Sequence, residues 1–232
     1  MEFFIIKGGV PLKLLDIIGP VMIGPSSSHT AGAVRLGLLA RGILGEQPSE
    51  ARIELHGSFA RTYRGHGTDL ALLAGLMGWR PDDERIPEAK NFAQANNLQY
   101  AFEQVNLGEL LHPNTVRLHL KGLSGTTCTV MGSSVGGGQV LVTEIDGFPV
   151  ELNGSLPGLL VPHRDQCGVI ALVSQELAVA GINIAGMRVF RTDKGGIAIM
   201  IIECDQAVDL ETIKKVELLP AVESVRFINS VL

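Results

Sequence analysis

The stretch HRDQCGVIALVSQELAVAGINIAGMRVFR, His163 to Arg191, followed by GGIAIMIIECD at Gly195–Asp205, decides how this chain divides. Its apolar period changes twice. Val169, Ile170, Val173 and Leu177 recur at helical spacing, which predicts a helix over Gln166–Ala180. Ile184–Phe190 and Ile197–Cys204 are strand-like runs around an Asp193-Lys194-Gly195-Gly196 turn. A short apolar strand over Leu159–Pro162 precedes them. A helix over Asp209–Leu218 and a strand over Val222–Ile228 follow. The order is βαββαβ, a two-layer unit that is able to stand alone.

Working outward, Asn153-Gly154-Ser155 marks a boundary, so domains are expected over 1–155 and 159–232. Upstream, TAGAVRLGLLARGIL predicts a helix over Thr30–Leu44, capped by Ser28 or Thr30. Arg52–Phe59 alternates as a strand, with Ile53 and Leu55 on one face and Glu54 and His56 on the other. A second helix is expected over Thr68–Met77, and the polar stretch Pro81–Asn106 reads as surface. Strands follow at Thr115–Lys121, Thr127–Val135 and Gln139–Ile145, the last two separated by Gly136-Gly137-Gly138. The expected fold is α+β or α/β, a mixed α/β domain followed by the βαββαβ unit.

With 232 residues the chain buries a real core without disulfide or metal staples. Charged residues make up 19%, against about 25% in an average chain, which hints that a partner or another copy covers part of the surface. The 28 glycines exceed the usual share of about 7% and cluster beside hydroxyl residues, where they bring backbone close to small ligands. A net charge of -5 without a basic stripe argues against a nucleic-acid partner. MEFFIIKGG is apolar but short and carries Glu2, so neither a signal peptide nor a membrane span is expected, and the cytoplasm is the expected compartment. The odd set Cys128, Cys167 and Cys204 reads as reduced thiols, buried or semi-buried.

Three clusters carry the chemistry. GPSSSHTAG, Gly24–Gly32, sets three serines, His29 and Thr30 just before a helix, where unpaired N–H groups and the helix dipole favour a carboxylate or phosphate. Capping explains one hydroxyl but not three serines and a histidine between glycines. HGSFARTYRGHGTD, His56–Asp69, places His66 and Thr68 before a second helix. SGTTCTVMGSSVGGG, Ser124–Gly138, again packs hydroxyls beside glycines. None is a P-loop, and His29, His56 and His66 lack the spacing of a zinc helix. His112 and His119 read as ordinary surface residues.

The segment from His163 onward resembles an ACT domain, the amino-acid-sensing βαββαβ module, with Gly168 in the strand-to-helix loop and Gly181-Ile182-Asn183-Ile184 opening the second strand. That resemblance implies effector contacts at His163, Asp165, Gly168 and Asn183, and self-association through this domain. GPSSSHTAG, GHGTDLALLAG and the third cluster, followed by that module, resemble the β chain of iron–sulfur L-serine dehydratases from about Leu12 onward. Residues 12–150 also resemble the allosteric substrate-binding domain of some phosphoglycerate dehydrogenases.

The dehydratase resemblance implies conversion of L-serine to pyruvate and ammonia, with a [4Fe-4S] cluster as Lewis acid on a separate α chain. It implies His29 or His66 as base, since a neutral imidazole suits α-proton removal. Ser26, Ser27, Ser28, Thr30, Gly65, Gly67 and Thr68 would hold the substrate. The three cysteines are too scattered for a cubane site, so none is expected to ligate iron. A purely regulatory module and a stand-alone metal hydrolase remain as alternatives.

Overall fold

The computed structural model describes residues 20–232. The MEFFIIKGG stretch and the beginning of the resemblance at Leu12 lie outside the described residues.

The first half builds a six-stranded sheet from β1 (Pro48–Leu55), β2 (Gln99–Gln104), β3 (Thr115–Gly122), β4 (Thr127–Gly136), β5 (Gln139–Ile145) and β6 (Phe148–Leu152). The spatial order is β2-β1-β3-β4-β5-β6. Only the β1–β2 pair is parallel; every other neighbour is antiparallel. Ile53, Leu55, Val116, Leu118, Leu120, Val130, Val140 and Val142 alternate onto one buried face. Helices α1 (Gly32–Leu44) and α3 (Thr68–Leu76) are part of the same core. In α3, Ala71 through Leu76 are all buried, the pattern of a helix enclosed on every side.

The chain then forms β7 (Gly158–Arg164), α5 (Val169–Val179), β8 (Ile184–Arg191), β9 (Ile197–Cys204), α6 (Leu210–Glu217) and β10 (Arg226–Ile228). These four strands make an antiparallel sheet in the order β10-β7-β9-β8. The βαββαβ order read from the sequence is therefore present, and the mixed α/β class holds for the chain. One face of this sheet, with Leu159, Val161, Met200 and Ile202, packs on Val169, Val173 and Leu177 of α5 and Val216 of α6. The opposite face sends Leu160, Ile199, Ile201 and Ile228 into the core that holds α1. Arg226 also donates to the Ile43 carbonyl at 2.7 Å, at the end of α1.

Several expectations are corrected. The first strand ends at Leu55, because Gly57 at φ 57° turns the chain into a short helix, α2 (Gly57–Thr62), that carries the fully buried Phe59. The stretch Pro81–Asn106 is not plain surface. It forms a 3-10 turn at Ile86–Glu88, helix α4 (Ala89–Ala95) and β2, and buries Ile86, Ala89, Ala93 and Leu98. Strand β6 was not expected at all. Ile170 stands out to solvent, and so does the thiol of Cys167, whereas Cys128 and Cys204 are buried. No helix among the described residues is long and apolar enough to cross a membrane.

Candidate active site

The serine-rich motif does not enter α1 directly. Ser27–Ala31 forms a π-helical turn, in which the Gly32 N–H donates to the Ser27 carbonyl. Such turns are rare and concentrate at functional sites. Ser26 is extended, and its Oγ accepts from the His29 N–H at 3.3 Å. The cap is therefore Ser26, not Ser28 or Thr30, because the π turn begins one residue after it. Thr30 instead turns its side chain inward. A Cβ on Gly24 would lie 2.5 Å from the Thr30 Cγ2, so this approach requires glycine.

The turn aims His29 at the N-terminal ends of two other helices. Its Nδ1 is 3.4 Å from Ser26 Oγ and its Nε2 is 3.3 Å from Ser58 Oγ of α2. Phe59 meets the ring edge-on at 5.3 Å, and the His66 ring lies tilted against it at 4.7 Å. Burial first and the neighbouring His66 second hold the His29 imidazole below its ordinary pKa. A neutral imidazole with both nitrogens within reach of hydroxyls is equipped to accept a proton.

Around it lies a set of buried polar atoms with no hydrogen-bond partner among the described residues: Thr30 Oγ1, His66 Nδ1, Thr68 Oγ1, Asn114 Oδ1 and Ser134 Oγ. They come from four separate segments, His66 and Thr68 sharing the turn that enters α3. Gly67, in the left-handed region at φ 68°, turns the chain so that α3 starts at Thr68. Ser58 donates its N–H to the Pro113 carbonyl at 2.6 Å, which ties α2 to the loop carrying Asn114. The Ser134 N–H donates to the Asn114 carbonyl at 3.0 Å, and the Ser134 side chain lies against Gly32, where a Cβ would be 2.8 Å from its own. Each unpaired buried hydroxyl costs about 1–3 kcal/mol. Such groups are few in native proteins, and a catalytic role or a bound ligand or water is among the reasons they are kept. Both α1, through its π turn, and α3 direct their N-termini here, which adds positive potential for an anion.

Residues 14–145 match the serine dehydratase beta chain family, and residues 159–222 match the AHAS small subunit-like ACT domain. The chain belongs to the serine dehydratase beta chain family. It is 43% identical over 208 residues to the probable L-serine dehydratase beta chain of Bacillus subtilis, covering 90% of this chain and 94% of that one. It is 38% identical over 191 residues to the L-serine dehydratase beta chain of Peptoniphilus asaccharolyticus, covering 82% and 86%. The D-3-phosphoglycerate dehydrogenase of Bacillus subtilis is 27% identical over 198 residues, which is 85% of this chain but 37% of that enzyme.

Within this family member, the motif residues differ in what they do locally. Ser26 and His29 are hydrogen-bonded to each other, whereas Ser27 and Ser28 make no side-chain hydrogen bond among the described residues. Gly65 is exposed on the turn before His66. Ser58, Asn114 and Ser134 are not among the residues expected from the sequence, although Ser58 lies in the second cluster and Ser134 in the third. His56 accepts from the Leu107 N–H at 3.2 Å, and His112 accepts from the Asn114 N–H at 3.1 Å; both fix loops. His119 is more than a surface residue. It joins Arg52 and Arg117 around the buried Glu54, with Nε2 at 3.2 Å from the carboxylate.

The thiols do not fit an iron–sulfur cluster. Cys128 lies in β4, Cys204 in β9 of the other sheet, and Cys167 in the loop before α5. Burial, assisted by Asp146, pushes the Cys128 thiol up to about 12, so it stays protonated at neutral pH. Burial also raises Cys204. No group of three or more histidines, cysteines or carboxylates among the described residues is arranged to hold a metal ion.

In the C-terminal module, Gly168 adopts φ 92° just before α5, and Asp165 accepts from Arg191 at 2.5 Å and from the Gly195 N–H at 3.0 Å. His163 is buried in β7, with Nδ1 3.0 Å from the Val161 carbonyl. Asn183 donates to Asp205 at 2.6 Å. Asp165 and Gly168 thus share a loop, while His163 points into the interior and Asn183 is held by another segment.

Proposed function

We propose that this chain is the β subunit of a two-chain L-serine ammonia-lyase and that His29 is its proton-accepting base. The observation that supports this most is the neutral, half-buried His29 set among five unpaired polar atoms at two helix N-termini. L-Serine presents a carboxylate, an α-proton and a β-hydroxyl. The carboxylate lies toward the turn before α1 and the start of α3, where Thr30, Thr68 and Ser134 donate to it. His29 takes the α-proton through Nε2, on the Ser58 side, while Ser26 keeps the ring oriented at Nδ1. His66 lies against the ring and disfavours a resting imidazolium. Loss of the hydroxyl as water leaves an enamine, which tautomerises and hydrolyses to pyruvate and ammonia.

The scattered thiols leave this chain without a set of cluster ligands, so the [4Fe-4S] cluster is assigned to a cluster-bearing α chain that closes the site. Residues up to 155 form the substrate domain, and residues 159–232 form an ACT module that self-associates and senses an amino acid near Asp165 and Gly168. The protein works in the cytoplasm with its thiols reduced.

The test is anaerobic pyruvate formation from L-serine by this chain co-expressed with its α chain. The His29→Gln variant is expected to lose turnover at unchanged iron content, and His66→Gln to retain part of it. Turnover that survives His29→Gln removes the base assignment. Serine binding without any kinetic effect from either histidine supports a regulatory module instead.

A further inference from the structure

The two halves of the candidate site sit on the starts of two helices, and those helices touch backbone to backbone one or two turns further along. A Cβ on Gly37 of α1 would lie 2.7 Å from the Leu72 carbonyl oxygen and 2.9 Å from the Gly75 Cα. A Cβ on Gly75 of α3 would lie 2.9 Å from the Gly37 Cα and the Leu38 nitrogen, and closer still to the Val34 carbonyl oxygen. Helices usually pack with axes about 8–10 Å apart, held off by their side chains. Here neither helix has a side chain at the crossing. Glycine in a helix interior is disfavoured relative to alanine, so its presence on both sides of one contact calls for a reason.

We infer that Gly37 and Gly75 are positioning residues for the reaction: their contact sets the separation of α1 and α3 that brings His29 and His66 together at the mouth of the site. The inference rests on the proposed role of His29. Gly37 lies roughly 8 Å along α1 from its start and Gly75 roughly 10 Å along α3 from Thr68, and both helices run from the site toward the crossing. A methyl group on either glycine separates the backbones by on the order of 1 Å, since carbon atoms pack at about 3.5–4.0 Å. That displacement passes to the two histidine-bearing ends. A misplacement of about 1 Å costs on the order of 10²-fold in rate.

The spacing has a readout other than activity. His29 is held below its ordinary pKa by burial and by His66, and both effects weaken when the helices part. The charged group acting on His29 is His66; the charges on the other elements at the turn are paired or turned elsewhere, and Arg61 of α2 is exposed to solvent. Asp69 of α3 is held by Lys90, Arg35 of α1 donates to the Gly138 carbonyl, and β4 presents Gly132, Ser133 and Ser134.

Gly37→Ala and Gly75→Ala are tested in the co-expressed two-chain enzyme for kcat and KM, and in this full chain alone by NMR titration of His29. The expected result is a kcat lowered on the order of 10²-fold, a KM within about threefold, and a His29 titration moved up toward the ordinary value of about 6.5. Two controls separate spacing from stability. Gly42→Ala adds a Cβ to α1 where the nearest atoms, on Ile228, are 3.6 Å away. Leu72→Ala removes a buried side chain of α3 without pushing the backbones apart. Both are expected to keep kcat and the His29 titration. Wild-type kcat and titration in Gly37→Ala overturn the inference, and so does a kcat lowered on the order of 10²-fold together with a raised His29 titration in Leu72→Ala, an outcome that stands even if the glycine variants fail to fold. If His29→Gln leaves turnover intact, the catalytic reading fails, while the titration still decides whether the glycines set the spacing.

Discussion

Replacing Ser134 with alanine should change stability and activity in opposite directions. Ser134 is fully buried, its Oγ has no hydrogen-bond partner among the described residues, and its side chain lies on Gly32. In the free chain that hydroxyl is a desolvated dipole with nothing to compensate it, at a cost of about 1–3 kcal/mol. Alanine removes the dipole and relaxes the contact with Gly32, but forfeits a little packing. A net stabilisation of about 1 kcal/mol is expected, which raises Tm by roughly 2–4 °C in a chain of this size. If the hydroxyl donates to the substrate carboxylate, its loss removes a charge-assisted bond worth about 1.5–3 kcal/mol, so kcat/KM for L-serine should fall roughly 10- to 100-fold. Calorimetry on the chain alone and anaerobic pyruvate kinetics on the two-chain enzyme measure the two halves. A variant that is destabilised and has unchanged kcat/KM would refute the reasoning, because the hydroxyl would then serve the protein and not the ligand.

Three further outcomes follow from the structure. Because the His29 imidazole is held below its ordinary value, the acid limb of kcat/KM should lie below about 6.5, with activity present above it and lost as pH falls; His66→Gln should move that limb upward by removing the like charge. The same lowered value predicts that stability is fully present above the unfolded histidine value and declines as pH falls through it, which a pH series of melting curves will show. Lys90→Met strips the buried Asp69 carboxylate of its cation, 2.5 Å away. A fully buried pair broken this way costs about 3–5 kcal/mol, but Lys90 is half exposed and solvent screening reduces this to about 1–2 kcal/mol; a melting temperature restored by adding Asp69→Asn checks the cause.

What the sequence disclosed depended on how local the signal was. The βαββαβ half is legible because Val169, Val173 and Leu177 repeat at helical spacing and the β8 and β9 runs are long and apolar. GPSSSHTAG stands out because its hydroxyls are contiguous, and that much of the site could be read directly. Ser58 and Ser134 fall inside the other two clusters, yet neither they nor Asn114 stand apart from their neighbours until the loop at Pro113 and the end of β4 are folded against the π turn. The cap was misassigned to Ser28 or Thr30 because an i-to-i+5 turn has no sequence signature comparable to an ordinary helix start. The segment Pro81–Asn106 was hidden for a different reason. Its elements are short, and Ile86, Ala89, Ala93 and Leu98 are diluted among charged and amide residues that face solvent.

The boundary near Ser155 is plain in the sequence, yet the energetics do not divide there. Leu160, Ile199, Ile201 and Ile228 come from the second sheet but belong to the core that contains Leu39 and Ile43 of α1. Gly154 is pressed between Leu39 and Val231, and Arg226 holds the last turn of α1. Helix α1 therefore carries the His29 turn at one end and bears on the ACT-like module along its flank. A chain ending at Ser155 would expose the apolar flank of α1 to water, at about 25 cal/mol for each Å² uncovered. It is expected to melt without a cooperative transition and to bind a hydrophobic dye. If that truncated chain instead melts cooperatively within a few degrees of the whole protein, the shared core contributes little and the two halves fold independently. Cooperative loss of both halves would mean that anything strengthening the second sheet also firms the helix on which the candidate base is mounted.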